Sequence, residues 1–247
     1  MISLNRAGFT IIETMLFLAI TGLLVLGVLV GTGNSINIQR YRDSITSLQA
    51  FFQQQYSDVS NISNDNLNNV CNGNNSPRGQ SDCVILGSLI TTSTVNGLSS
   101  GLLVRPVLGY IPANSTQSLD DVQIFKNSNG PGKPIGYNIT IPPNITSQTY
   151  NIEWGASLVP AGNNSAAHFS VLIVRSPSSG IVRTFIDPNV AVNNTVQSLV
   201  NAAGLTTPIK TCVNSNGLFN GNKMAVQIIA GSTSSSGVET LGDNSGC

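Results

Sequence analysis

One carboxylate, Glu13, lies inside the longest apolar stretch of the chain. From residue 9 to residue 30 it is the only ionisable side chain among Ile, Leu, Val, Phe, Met, Ala, Thr and Gly. A charge in hydrocarbon is costly unless an opposite charge compensates it. Such a carboxylate can stabilise the first turn of a helix through the helix dipole, or it can pair with an amine on a neighbouring molecule. We favour the second role, so the chemistry that Glu13 offers is charge pairing.

Groups suited to catalysis are scarce in the rest of the chain. The single histidine, His168, falls in a strand-like segment beside Phe169, where a structural position is favoured over a catalytic one. Without a second histidine or a free cysteine, the usual zinc sites and thiol nucleophiles cannot be built. The acidic pair Asp120 and Asp121 indicates a solvated turn. We therefore predict no catalytic residue, no metal site and no cofactor, and we expect that the protein is not an enzyme.

Four cysteines, Cys71, Cys83, Cys212 and Cys247, all lie outside the apolar stretch. An even number in a segment held outside the membrane is typical of disulfides. Of the three possible pairings we favour Cys71–Cys83, which closes a loop of turn-forming residues, and Cys212–Cys247, which fastens a Ser/Gly-rich tail to a predicted strand. Zinc binding by the four is the alternative, but their spacings do not match metal-finger patterns.

The element that carries Glu13 is predicted to be a membrane helix. The apolar stretch is long enough, since roughly 20 apolar residues cross a bilayer. A cleavable signal peptide is the alternative, but its apolar region is usually shorter and a small-x-small cleavage site follows it. No such site follows Val30. Gly27 and Gly31 have a spacing that permits close contact between membrane helices.

A second helical pattern follows the membrane segment. Its apolar residues recur three or four positions apart, as on one face of an α-helix, and polar residues fill the other positions. The stripe consists of Ile38, Tyr41, Ile45, Leu48, Phe52, Tyr56 and Val59. We predict that it packs against the globular part of the same chain.

The N-terminal residues resemble the signature of type IV pilins and pseudopilins. Gly8 is followed by Phe9-Thr10-Ile11-Ile12-Glu13 and then by the apolar stretch, and the resemblance extends to the middle of the fifties. It implies that a prepilin peptidase cuts after Gly8 and methylates Phe9. It also implies that Glu13 guides assembly with other pilin subunits on a pilus assembly platform. Two features depart from the family: Arg6 is the only basic residue of the leader, and the apolar stretch lacks a proline.

The remainder of the chain is predicted to be a β-rich domain. Charged residues make up only 9% of the sequence and the net formal charge is zero, whereas a usual charged share is about 25%. A near-neutral surface gives no electrostatic basis for binding nucleic acid. Segments rich in Val, Ile, Thr and aromatic residues, broken by Gly, Pro and Asn, predict strands. These are residues 83–90, 102–108, 122–126, 135–141, 150–154, 168–175, 181–186, 209–213 and 224–230, with a helix at 192–203.

Two residues carry specific expectations within this domain. Pro106 cannot donate a backbone hydrogen bond, so its strand is predicted to be an edge strand. Trp154 is the only tryptophan, and we predict that it lies in the core rather than in an adhesive surface.

These patterns predict an α+β fold, with a long N-terminal helix packed on a β-rich, disulfide-stapled domain, as the pilin resemblance also implies. The expected divisions are a leader at 1–8, a transmembrane or filament-core helix at 9–33, an amphipathic helix at 34–60 and an extracytoplasmic domain at 61–247.

The resemblance implies a structural subunit, major or minor, of a type IV pilus-like filament. Such a subunit is a single-pass protein of the cell membrane before assembly and is extracellular or at the cell surface afterwards. Two alternatives stay open. One is a pseudopilin of a type II secretion or DNA-uptake apparatus, and the other is a single-pass membrane-anchored ectodomain that does not polymerise.

Overall fold

The computed structural model describes residues 10–61, 83–110, 122–126, 136–141, 147–188, 196–201, 207–217, 221, 223–242 and 245–247. This part of the chain is α+β. Its helices are α1 (Ile11–Ser60) and α2 (Val196–Asn201). Its strands are β1 (Cys83–Val95), β2 (Leu98–Tyr110), β3 (Asn138–Thr140), β4 (Gln148–Asn151), β5 (Ser157–Pro160), β6 (Ser170–Arg175), β7 (Val182–Asp187), β8 (Ile209–Asn214), β9 (Ala225–Ile228) and β10 (Val238–Leu241).

Helix α1 continues without interruption from the apolar stretch into the amphipathic segment, as the sequence predicted, and is 50 residues long. Its first half is exposed along nearly its whole length. The buried residues are confined to its second half, three or four positions apart. They are Tyr41, Ser44, Ile45, Leu48, Phe52, Gln55, Tyr56 and Val59. The predicted stripe is thereby confirmed, except that Ile38 is only partly buried.

The ten described strands form one antiparallel sheet that curves around the second half of α1. The order along its main path is β10-β9-β8-β5-β2-β1-β6-β7, and the short strands β3 and β4 both pair with β2. All eight strands of the main path contribute residues to the core that surrounds the helix. The two end regions of the sheet are also in contact. The N–H of Gly231, between β9 and β10, donates to the carbonyl of Thr184 in β7 at 2.8 Å.

A second apolar cluster covers the outer face of the sheet. Successive side chains of a strand point to opposite faces, so Ile90 packs toward α1 whereas its neighbour Leu89 packs outward. Leu172 and Phe185 continue this outer layer, which the short helix α2 covers with Leu199. Helix α1 therefore forms the inner core of the domain, and the sheet lies between α1 and α2.

Two expectations about the strands are wrong. Residues 122–126 do not form a strand: Gln123–Phe125 are a 3-10 turn whose Phe125 is fully buried, since so short an apolar pattern fits a turn equally well. Strand β2 is central, with β1 on one side and β3, β4 and β5 on the other. Pro106 faces Ser88 of β1, and on the other side the described ladders stop at Val104 and resume at Leu108. The proline therefore removes no hydrogen bond from those ladders.

The disulfide between Cys212 and Cys247 is confirmed, with Cα atoms 5.8 Å apart. It joins β8 to the C-terminal tail, and the Nζ of Lys210 also holds the tail by donating to the carbonyl of Ser245 at 2.5 Å. The predicted Cys71–Cys83 bond lies outside the described residues and stays a prediction.

Buried tyrosines make the domain sensitive to high pH. The hydroxyl of Tyr56 lies 2.7 Å from Thr184 Oγ1, and burial raises the pKa of Tyr56 above its ordinary value of 10.0. Burial also raises the pKa of Tyr150. Because the unfolded chain loses these protons first, their stabilising contribution is complete below about pH 10 and is lost as pH rises through the folded-state pKa.

We therefore expect the free energy of unfolding to fall as pH rises above about 10. Denaturant titrations at neutral and alkaline pH measure this fall. A Tyr56→Phe variant should lose less stability between the two conditions than the wild-type chain, because it has one fewer buried hydroxyl to ionise. An equal loss in both chains would contradict the role given to Tyr56.

Candidate functional site

Glu13 lies in the first turn of α1 and closes a capping box with Thr10. The backbone N–H of Thr10 donates to Glu13 Oε2, and the N–H of Glu13 donates to Thr10 Oγ1, both at 3.4 Å. This reciprocal pair satisfies two backbone donors that a helix start otherwise leaves open. Within the described residues Glu13 forms no ion pair. The carboxylate thus has a local role in the chain.

Gly8 and Phe9, the two processing residues, lie outside the described residues. The helix begins at Ile11, with Thr10 as its N-cap in an extended conformation. The predicted processing junction therefore precedes the regular helix.

The hydroxyl groups of the apolar half are all bonded to the helix itself. Thr14, Thr21 and Thr32 each donate to the carbonyl of a residue three or four positions earlier, at 2.9 Å. In hydrocarbon, a polar group without a partner costs several kcal/mol because no water is present to bond it. With these donors bonded, Glu13 is the one charged side chain of residues 11–30.

No other part of the described chain packs over the apolar half of α1. Its large side chains from Ile11 to Val30 are 52–77% exposed. The helix contains a window apolar enough to cross a membrane, and none of that window is buried. A candidate membrane-spanning helix is therefore present near the N-terminus, in agreement with a single-pass anchor.

The glycines of this half are not required by packing within the chain. A methyl group added at Gly22, Gly27, Gly31 or Gly33 would meet no other atom within 4 Å. Glycine in a helix interior costs roughly 1 kcal/mol relative to alanine. No described contact offsets this cost.

The other candidate residues that the structure describes do not assemble into a reactive site. His168 is exposed just before β6, beside the buried Phe169. The described residues contain no group of three or more His, Cys, Asp or Glu side chains that could hold a metal ion. Asp120 and Asp121 lie outside the described residues.

One open pocket lies at the end of β6 farthest from the apolar half of α1. It is lined by Val84, Ile85, Arg175 and the serine-rich turn at 176–180. The Nε of Arg175 donates to the carbonyl of Gly180 at 3.3 Å. The lining combines a guanidinium with hydroxyl groups, and it includes no histidine or carboxylate that could act as a base.

The predicted core position of Trp154 is wrong. Its side chain is 48% exposed and lies beneath Arg40, whose guanidinium carbon is 5.0 Å from the ring centroid. The sequence predicts a strand over residues 150–154, but the strand ends at Asn151 and Trp154 follows in a tight turn. The adjacent Gly155 was the one signal in the sequence that favoured a turn over a strand.

Comparison of the chain with protein-family models, with curated proteins and with solved structures finds no match.

Proposed function

We propose that this protein is a structural subunit, major or minor, of a type IV pilus-like surface filament that polymerises through the apolar half of α1. The observation that carries the proposal is the division of this helix. One half is the inner core of the domain, and the other half exposes large apolar side chains around a single carboxylate. Apolar patches larger than a few hundred Å² mark interaction surfaces. A subunit that leaves the membrane for a filament uses the same surface in both places.

Processing prepares this helix for assembly in the proposed pathway. A prepilin peptidase cuts between Gly8 and Phe9 and methylates Phe9, as the resemblance of the N-terminal residues implies. The mature chain keeps Thr10, so the capping box with Glu13 survives the cut. The new terminal amine of Phe9 is then four residues before Glu13 in the chain.

Assembly would follow from charge compensation in an apolar medium. Thr10 bonds Oε2 of Glu13, and the other carboxylate oxygen can accept a hydrogen bond from a cation. Docking of a subunit beneath a growing filament, on the assembly platform, would bring Glu13 beside the terminal amine of a neighbouring subunit. An uncompensated charge in the middle of a membrane costs about 2.5–3.5 kcal/mol on insertion scales, and Glu13, in the first turn of α1, costs less than this. Compensation is therefore a gain that only a subunit in the correct register receives.

The processing step gives a direct test by mass spectrometry. We expect the intact mass of the protein from cells with an active peptidase to show loss of residues 1–8 and one added methyl group. Replacing Gly8 by a bulky residue should block the cut, while Gly8→Ala permits slow cutting. An N-terminus at Met1, or a cut after residue 30, would contradict the pilin assignment.

The capping box also supports one different function, a single-pass ectodomain that does not polymerise. In that case Glu13 serves only to begin the helix, and the bilayer covers the apolar half permanently. The two functions differ in whether the wild-type chain enters filaments at all, and immunoelectron microscopy of sheared surface material separates them.

A further inference from the structure

Three turns of the domain lie at the end from which the apolar half of α1 leaves the sheet. Tyr41 is the first buried residue of α1, and its hydroxyl donates to the carbonyl of Val213 near the end of β8, at 2.8 Å. The turns after β1, after β4 and after β8 lie at the same end of the domain as Tyr41. The N–H of Ile152 donates to the carbonyl of Ser100 at 2.9 Å, and the Nδ2 of Asn216 donates to the carbonyl of Gly155 at 2.7 Å.

Trp154 occupies its turn with a backbone conformation that disfavours tryptophan. Its φ and ψ are 57° and 25°, in the left-handed region, which costs bulky L-residues of order 1–3 kcal/mol. Among the described residues, the other non-glycine positions with positive φ are Asn96 and Asn216, in the two neighbouring turns. Asparagine tolerates this conformation. Because the turn geometry does not account for tryptophan at 154, its exposed ring is the feature that needs an explanation.

Exposed apolar side chains gather at the same end of the domain. Val95 and Leu98 face each other across the β1–β2 turn and are 57% and 42% exposed. Together with Trp154 and the Arg40 guanidinium over its ring, they form what we call the rim. Ile36, one turn before Arg40 on α1, is also exposed. Other large exposed apolar residues of the described domain, such as Ile181, stand away from the rim.

The charges of α1 set the position of the rim relative to a membrane. Between Glu13 and Arg40 the chain has no charged residue. Twenty-seven residues of helix at about 1.5 Å each span about 40 Å, and a bilayer with its two headgroup layers is about 40–45 Å thick. When Glu13 lies at one surface of the bilayer, Arg40 lies in the headgroup layer of the other.

We propose that, before assembly, the rim lies in the outer headgroup layer of the membrane. Tryptophan concentrates in this layer because its ring is apolar and its indole N–H is polar. Arg40 would face lipid phosphates, and Val95 and Leu98 would contact the upper part of the acyl chains. Contact with the bilayer would orient the domain on the membrane surface. The inference depends on the anchored state described above and does not depend on polymerisation.

The single tryptophan makes the rim contact measurable. The full-length protein is reconstituted at low density into phosphatidylcholine–phosphatidylglycerol vesicles that contain lipids brominated at either a shallow or a deep carbon of the acyl chain. We expect Trp154 to lose most of its fluorescence with shallow bromines and much less with deep ones. Soluble acrylamide should quench it less in vesicles than in the chain unfolded by denaturant.

A matched pair of variants separates the rim from the rest of the domain. In a Trp154→Phe background, Val95→Trp places a probe in the rim, and Ile181→Trp places one at the opposite end of β6. The first should be quenched by shallow bromines and the second should not. Equal quenching of both probes, or of neither, would overturn the inference.

Three other outcomes would also contradict the rim contact. If Trp154 escapes bromine quenching but becomes protected from acrylamide as protein density rises, a second copy of the chain covers the rim instead of lipid. If the protein floats with vesicles and Trp154 stays open to acrylamide at every density, the rim contact is wrong while the membrane anchor stands. A protein that does not float with vesicles contradicts the anchor, and the rim contact with it.

Discussion

A Glu13→Val variant should enter the membrane at least as well as the wild-type chain and fail to form filaments. The substitution removes the one ionisable group of the apolar stretch, so insertion becomes less costly. It also removes the anion that would compensate the terminal amine of a neighbouring subunit. A charge at the centre of a membrane helix costs about 2.5–3.5 kcal/mol, and Glu13 lies in the first turn of α1, so the equilibrium constant for docking should fall by at most a few hundred-fold. Immunoblots of the membrane and sheared-surface fractions measure insertion and assembly separately.

The capping box calls for a second variant, because Glu13→Val also removes the hydrogen bond to Thr10. Glutamine at the same position can keep a capping box while it lacks the charge. If assembly needs the charge, Glu13→Gln should fail in filaments as Glu13→Val does. If Glu13 serves only the first turn of the helix, the glutamine variant should assemble normally, and the charge-pairing account would be wrong. Cleavage after Gly8 should be unchanged in both variants and serves as the control.

Phe52→Ala should destabilise the domain by about 3–5 kcal/mol, the range for a fully buried phenylalanine. Phe52 is 0% exposed, and its ring meets that of Phe51 edge to face at 5.4 Å between centroids. The sheet encloses it from several strands, so the cavity left by alanine has little freedom to collapse. Because whole domains are stable by only about 5–15 kcal/mol, the loss is a large part of the total. Denaturant unfolding of the full-length protein in detergent measures it.

Phe17→Ala is the matched control, since it makes the same change on the same helix. Phe17 is 65% exposed in the apolar half, and removal of an exposed side chain usually changes stability by less than about 0.5 kcal/mol. The two variants should therefore differ by several kcal/mol in domain stability. Similar losses in both would show that the apolar half packs on the domain, contrary to the division of α1.

The features that the sequence predicted well are those repeated over many residues. The stripe from Tyr41 to Val59 spans five helical turns at a spacing of three or four, and each position adds to the same signal. A single misread residue does not change such a pattern. The Cys212–Cys247 bond was predictable because a tail of small polar residues has few other means of attachment.

The features that the sequence did not predict depend on single short segments or on distant partners. Strands β5 and β10 have four residues each, too few to show a period. The hydrogen bond from Gly231 to Thr184 joins the turn after β9 to β7, and no local pattern contains that contact. Trp154 was misplaced because its apolar character indicated burial, whereas the fold places it in an exposed turn beside Arg40. In the candidate site, the sequence alone shows that Glu13 lies in the apolar stretch. Its hydrogen bonds with Thr10 depend on where the helix begins, which the structure shows.

The measurement that tests the proposed function most directly is immunoelectron microscopy of surface material sheared from cells that express the wild-type chain. Antibodies against the globular domain should label filaments along their length, and subunits recovered from those filaments should begin at N-methyl-Phe9. We expect these filaments to be absent from cells in which the Glu13→Gln variant is the only form of the protein. Protein that stays wholly in the membrane fraction, with unlabelled filaments or none while the assembly machinery is active, would contradict the proposal that this chain polymerises.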